Sequence, residues 1–477
     1  MKRITNHLNK AIVIATSLNS RWYVVYPVCL AIGLLFAVKY VLPYNFLAPE
    51  QIANIDSVYM WVRSEFLNRA LNAVSGVAFV PIVDHESAYY YYLAYIGQVI
   101  GKSQPWELFL FVQSVAAFIL FTVYPLLINR LTRSWICTCI SPLLLNYFFS
   151  EWLFVWKSDS IWAYTWVIVL AVPLVGILLK SSERLSKKEY VIVLLLSFVI
   201  SFANVLRTNA SLPVFAVVLV VLGIRFIQGI RSVKDKPTEI IFRRLFSRRA
   251  MIVAILALFV SYGLMNAILP QFAFKSVGYK QYNFGPWHTA YIGFGFEENP
   301  YGIKYADEVA MQKVNSIDPA VYYSTTESMD KYMAIIKAEY FKLYKENPEY
   351  FVASYIRKLK ACINNSINSI FDSNKNKYLA LALGLSCFAL FFMRTQKRHR
   401  LQHFLYLLIC LIVMGFIGML PWMIAIPDGM NNLYLRGAIA AGLMVLMMMI
   451  FFVVNALSLY VIDRSGTTGD DSVRSSL

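Results

Sequence analysis

Ten stretches of the chain are almost wholly apolar: 22–43, 107–128, 134–149, 161–179, 190–206, 211–230, 250–270, 378–393, 403–426 and 435–461. A bilayer takes about 20 such residues wound as helix, so each stretch predicts one spanning helix. The third and eighth are the shortest. The first lies too far along and runs too long to be a cleaved signal peptide, and no small-residue cleavage site follows it. The pattern predicts an all-α polytopic membrane protein with about ten transmembrane helices. Polar sequence gathers in two long connections, 44–106 between spans one and two and 271–377 between spans seven and eight. The second is helical in part: Tyr332, Ile335, Ile336, Tyr340 and Leu343 recur at helical spacing within 326–346, and Asn347-Pro348 ends that run. No internal repeat, heptad series or low-complexity tract occurs, and the polar end from Ser465 reads as a disordered tail.

Composition agrees. The chain has 477 residues, 58% hydrophobic and only 15% charged, against about 25% charged in soluble domains. Too little polar sequence remains to coat soluble domains, which excludes soluble enzymes, coiled coils and disordered scaffolds. Five of the six cysteines (Cys29, Cys137, Cys139, Cys387, Cys410) sit in apolar runs, leaving Cys362 alone in a polar stretch. One loop thiol forms no internal disulfide, so the loops are not a disulfide-stapled ectodomain. Cys137 and Cys139 point to different faces of a helix and read as core residues.

Sorting the charges by side fixes an orientation. With the N-terminus inside, the cytosolic segments hold 24 basic and seven acidic residues, while the other side holds 20 of each. The cytosolic excess equals the whole net charge of +17, as the positive-inside rule requires. Both termini are then cytosolic, and the two long loops lie outside a cell (inner) membrane. The basic loop 225–249 serves topology and contact with anionic membrane lipids; nothing supports nucleic acid as a partner. Four regions follow: a membrane core over 1–270 that includes the first external loop 44–106, a large external loop over 271–377, C-terminal transmembrane helices over 378–461, and a cytosolic tail over 462–477. Within the spans only Lys39 lies well inside, while Arg207, Arg225 and Arg436 sit at span ends. Ion-coupled transporters carry ionisable groups at mid-membrane, so charge-poor spans point instead to chemistry at the external surface.

In the first loop, Asp56 opens an amphipathic run (DSVYMWVRSEFLNRALNAV) with Val58, Trp61, Val62, Phe66, Ala70 and Ala73 on one face. Asp56 is placed either to cap that helix or to react. Asp84-His85-Glu86 introduces a second helix over 87–101 (SAYYYYLAYIGQVIG), whose four tyrosines at 89–92 suit a helix half in headgroups.

This layout resembles the integral-membrane glycosyltransferases of the C superfamily (GT-C), in the branch of the aminoarabinose transferases and protein mannosyltransferases. Two juxtamembrane helices in the first external loop, a seven-span core and a large external loop after it are traits of that family. DSVYMWV matches the position of the acid-bearing first helix, and YYYYLAYIGQVIGKSQPWELF matches the second. The family's Asp-Glu pair reads Asp56-Ser57 here, and its Pro pair reads His85-Glu86. The resemblance implies a polyprenyl-phosphate-sugar donor, a glycan or lipid-linked acceptor, and a general base in the first loop. Asp56 is the candidate base, with Asp84 and Glu86 in reserve. Arg207 and Arg436 are candidates to neutralise the departing phosphate, unless they only anchor their helices in headgroups.

Residues 283–311 of the second loop (NFGPWHTAYIGFGFEENPYGIKYADEVAM) alternate glycines with aromatics and read as a fixed loop rather than a helix. Trp287, Tyr291, Phe294 and Phe296 offer flat faces, and Glu297, Glu298, Asn299 and Asp307 offer hydrogen bonds, a set that suits a sugar and equally suits ordinary packing. His288 is placed to donate to a phosphate or to serve structure, and Lys275 and Lys280 precede it as further cations. No zinc spacing and no nucleotide-binding motif occurs; no cofactor is implied with certainty, and an Asp-coordinated divalent cation stays open. The sequence therefore predicts an enzyme, a membrane glycosyltransferase working on the external (periplasmic) face. An O-antigen-type polysaccharide polymerase and a lipid-linked oligosaccharide flippase are the alternatives.

Overall fold

The computed structural model describes residues 22–45, 59–77, 87–102, 104–132, 134–153, 162–180, 186–206, 210–231, 286–321, 328–371, 374–392, 398–424 and 435–465, together with 256, 259–260 and 263–264. Among these residues all regular structure is helical. Nine of the ten apolar segments fall in helices: α1 (Trp22–Asn45), α4 (Pro105–Phe118) continued by a π-helical turn (Ile119–Val123) and α5 (Tyr124–Thr132), α6 (Trp135–Leu153), α7 (Trp162–Lys180), α8 (Lys187–Leu206), α9 (Leu212–Arg231), α14 (Asn374–Phe392), α15 (Arg398–Ile424) and α16 (Arg436–Ser465). The segment 250–270 lies almost entirely outside the described residues. Glu107–Thr132 and Gly437–Ala456 are long and apolar enough to cross a membrane; Tyr26–Phe36, Trp135–Phe149, Ala163–Leu179, Leu212–Val221 and Phe404–Leu420 are shorter apolar helices.

Prolines shape the first bundle. Pro125 cannot donate to the carbonyl of Phe121, four residues back. The chain answers with the π turn, in which the Tyr124 N–H bonds to the Ile119 carbonyl. Gly33 of α1 packs directly on the Phe121 carbonyl, so closely that a Cβ there would overlap it. The Phe36 and Phe121 rings stack beside it at 5.4 Å. Pro142 in α6 leaves the Thr138 carbonyl without its usual donor in the same way, and the Ser141 hydroxyl supplies the bond at 2.8 Å.

α7 is the axis of the body. It packs against α5, α6, α8, α9, α15 and α16, and every residue from Ala163 to Leu179 is buried. An evenly apolar helix belongs in that central place. α15 and α16 lie close because small residues line their contact: a Cβ on Gly415 would sit 3.1 Å from the Cβ of Ala441. The described cysteines are free. Cys137 Sγ approaches the Phe451 carbonyl at 3.6 Å, whereas Cys139 Sγ lies 3.7 Å from Cys29 Sγ, in keeping with two faces of one helix.

Helices α2 (Tyr59–Val74) and α3 (Ser87–Ile100) pair with each other, α2 against α4 and α3 against α8. Tyr89, Tyr90 and Tyr91 are buried in this contact, with Phe66 edge-on to Tyr90 at 5.7 Å. These three tyrosines are core residues, which corrects the reading of a helix half in headgroups. On α2, Ala70 is buried and Phe66 and Ala73 half-buried as expected, joined by Leu67 and Leu71.

A second core forms in α10 (Pro286–Ile292) with a 3₁₀ turn (Gly293–Phe296), α11 (Asp307–Ile317), α12 (Met329–Glu346) and α13 (Pro348–Ile370). The expected loop at 283–311 is helical at 286–296. Pro286 stands at the first helical position, where its fixed φ favours a start, and burial of Ala290, Tyr291 and Ile292 outweighs the glycines that follow. α12 buries Met329, Tyr332, Ile336, Tyr340 and Leu343, close to the expected face. Asn347 ends α12 and caps α13, its Oδ1 accepting from the Tyr350 N–H at 3.0 Å. α13 in turn buries Ser354, Lys358, Cys362, Ser366 and Ile370, one residue per turn. Its far end packs on α15 and α16: Ser366 Oγ lies 3.7 Å from Met419 Sδ, and Ile370 lies against Gly442.

Candidate functional site

The candidate residues whose side chains are described lie between Trp287 and Asp307, in α10, the 3₁₀ turn, the segment after it and the start of α11. His288, carried inward by α10, is buried and engaged at both ring nitrogens, Nδ1 with the Tyr332 hydroxyl at 2.8 Å and Nε2 with Asp307 Oδ1 at 3.0 Å. A carboxylate only accepts, so Nε2 carries a hydrogen and donates it to Asp307. Asp307 begins α11 with its side chain 64% exposed, so the chain of bonds runs from solvent through an imidazole to a buried phenol.

Trp287 faces the other way, onto Tyr340 and Phe341 at 5.6 and 5.3 Å, with the Lys337 ammonium 5.2 Å over its ring. Tyr291 is buried, and burial, helped by the nearby Glu339 charge, pushes its phenol up to about 12. Glu297 is held by Arg357, whose Nε donates to both carboxylate oxygens at 2.9 and 2.8 Å and whose Nη2 adds a contact of 2.5 Å. That carboxylate holds the guanidinium above its ordinary value. The Tyr350 hydroxyl also reaches Glu297, at 3.4 Å, and the Glu298 carbonyl at 3.5 Å, while the Glu298 side chain is exposed.

Asn299 closes the turn beneath them. Its Nδ2 donates to the carbonyls of Phe294, Glu297 and Ile303, and its Oδ1 accepts from the N–H groups of Tyr301 and Ile303. Gly302, at φ 63, makes the bend possible.

Asp56, Asp84, Glu86, Arg207, Lys275 and Lys280 lie outside the described residues. Arg436 opens α16, and its side chain is also outside them. Among the described residues no group of three or more His, Cys, Asp or Glu side chains gathers as metal ligands.

Sequence reasoning did not single out Lys358, which is fully buried with its ammonium 5.3 Å from the Phe294 ring centre and 5.1 Å from that of Tyr355. Burial lowers its amine to about 8, against the opposing pull of Glu297. One turn on, burial raises the Cys362 thiol to about 11. The available signal was the four-residue recurrence of small polar residues around a lysine, Ser354, Lys358, Cys362 and Ser366, which marks an inward face that is not apolar.

No protein-family model, curated protein or solved structure matches this chain.

Proposed function

We propose that the protein is a membrane glycosyltransferase with about ten spans, both termini cytosolic, that moves one sugar from a polyprenyl-phosphate donor to a cell-surface glycan or lipid-linked acceptor outside. The observation that carries this reading is the charge partition: the excess of 17 positive charges falls wholly on one side of the apolar segments. The neutral side keeps two long polar segments, and these contain the helix pair α2–α3 and the helices α10–α13. A protein that invests its polar sequence in ordered external helices, with spans poor in charge, works at the membrane face rather than through it.

In the reaction, the acceptor hydroxyl gives its proton to Asp56, or to Asp84 or Glu86. Its oxygen forms a bond to the anomeric carbon as the bond from that carbon to the phosphate oxygen breaks. The lipid phosphate leaves with the electron pair, its charge met by Arg207 and Arg436. His288, already bonded at both nitrogens, holds the α10–α12 contact in place, and exposed Glu298 is the candidate acid of the second loop offered to a sugar. The test uses full-length protein in nanodiscs with polyprenyl-phosphate-sugar and acceptor fractions from its own cells. Wild type is expected to release polyprenyl phosphate, and Asp56→Asn to slow release about 100-fold or more. Full activity in Asp56→Asn, Asp84→Asn and Glu86→Gln alike would reject the mechanism.

A further inference from the structure

The Lys358 ammonium is completely buried without a hydrogen-bonding partner, and so is the Ser354 hydroxyl one turn earlier on the same face of α13. A buried charge and a buried hydroxyl left unpaired are costly, and such groups mark a place where something else binds. The faces of Phe294 and Tyr355 support the cation but use none of its three N–H donors. Glu297, the carboxylate acting on it, is occupied by Arg357 through both oxygens. Arg357, Glu297 and Lys358 therefore leave one positive charge unmatched. The result is a set of donors a helical turn apart, one net charge, and aromatic walls behind.

We propose that Lys358 and Ser354 form a binding site for a phosphoryl group, whose anionic oxygens accept from Nζ and Oγ. The two donors lie one turn apart on the buried face of the helix, and a phosphoryl group offers several anionic oxygens to accept from them. The phosphoryl group is that of a lipid headgroup or of free phosphate. The Phe294 ring lies over the ammonium. Because the amine titrates near 8 when the site is empty, it is charged at neutral pH, and binding weakens as pH rises above that value. The inference stands on α13 and the turn from Gly293 to Glu297 alone and does not require the transfer reaction proposed above.

The test measures thermal unfolding of the full-length protein in phosphate-free micelles, with inorganic phosphate, with phosphatidic acid or diacylglycerol doped into the micelle, and with acetate at equal ionic strength. At ten times the dissociation constant, a bound probe raises the folded-to-unfolded ratio about tenfold. The expected result is that increase with phosphate, which identifies free phosphate, or with phosphatidic acid alone, which identifies a lipid headgroup. Lys358→Met abolishes it, with Lys358→Gln as the second variant should the first not fold. No increase with either probe, an equal increase with acetate or diacylglycerol, or an increase that survives in the Lys358 variants would overturn the site.

Discussion

Replacing Asn299 with alanine removes one side chain that closes the whole turn from Phe294 to Ile303. Its amide has two hydrogens to share among three carbonyls at 3.1, 3.0 and 2.7 Å, and its oxygen accepts from two N–H groups at 3.2 and 3.0 Å. That amounts to four hydrogen bonds at most. At about 1 kcal/mol net for each, reduced where water replaces them in a half-buried turn, the loss comes to about 2–4 kcal/mol. Hydrogen exchange followed by mass spectrometry on peptides spanning 293–303 reads this directly. At 1.4 kcal/mol per decade, the Tyr301 and Ile303 amides should exchange about 30-fold faster or more in Asn299→Ala. Asn299→Asp keeps an acceptor but turns a carboxylate oxygen toward three carbonyls, and should do no better. Exchange within twofold of wild type across that segment, in a variant that keeps wild-type exchange elsewhere, would refute the reasoning.

Gly295→Ala should cost about 1–3 kcal/mol, since its Cβ would overlap the backbone of Lys304 and Tyr305, whereas Gly384→Ala, with open space around it in α14, should gain about 0.5–1 kcal/mol; thermal unfolding separates the two signs. His288→Ala removes the bonds to Tyr332 and Asp307, and because Asp307 already faces water the cost should be about 1–3 kcal/mol, mostly from the Tyr332 side. Lys358 makes stability depend on pH. Its amine falls from 10.5 to about 8 on folding, so between those values the unfolded chain holds a proton that the folded chain has lost. Stability therefore rises with pH across that window, by about 3 kcal/mol in all, and Lys358→Met should flatten the rise in denaturant titrations.

Much of the helical body was legible because long apolar runs leave few alternatives. Segment 161–179 became α7 almost residue for residue, and all but the first residue of 435–461 lies within α16. α12 was legible from its periodicity, and Asn347-Pro348 from its effect on the backbone. Residues 286–296 were misread because glycine and aromatic residues locally suggest a loop, while the helix there is decided by what Ala290, Tyr291 and Ile292 bury. The tyrosines at 89–91 were misplaced because an aromatic ring with a hydroxyl suits an interface and a packed core equally, and only the partner helix α2 decides between them. Tyr332 was visible as a face residue, but its bond to His288 joins positions 44 apart, which no local pattern encodes. The same holds for Lys358 and Phe294, brought together only when α13 packs against the 3₁₀ turn.

If this chain consumes a polyprenyl-phosphate sugar, as we propose, the lipid-linked sugar pool of the cells that make it changes when the gene is lost. With the gene deleted, mass spectrometry of extracted lipids should show one polyprenyl-phosphate-linked sugar accumulating, with the wild-type gene restoring the pool and the Asp56→Asn gene failing to. A pool of polyprenyl-phosphate sugars identical in deletion and wild type would mean that the chain does not consume one.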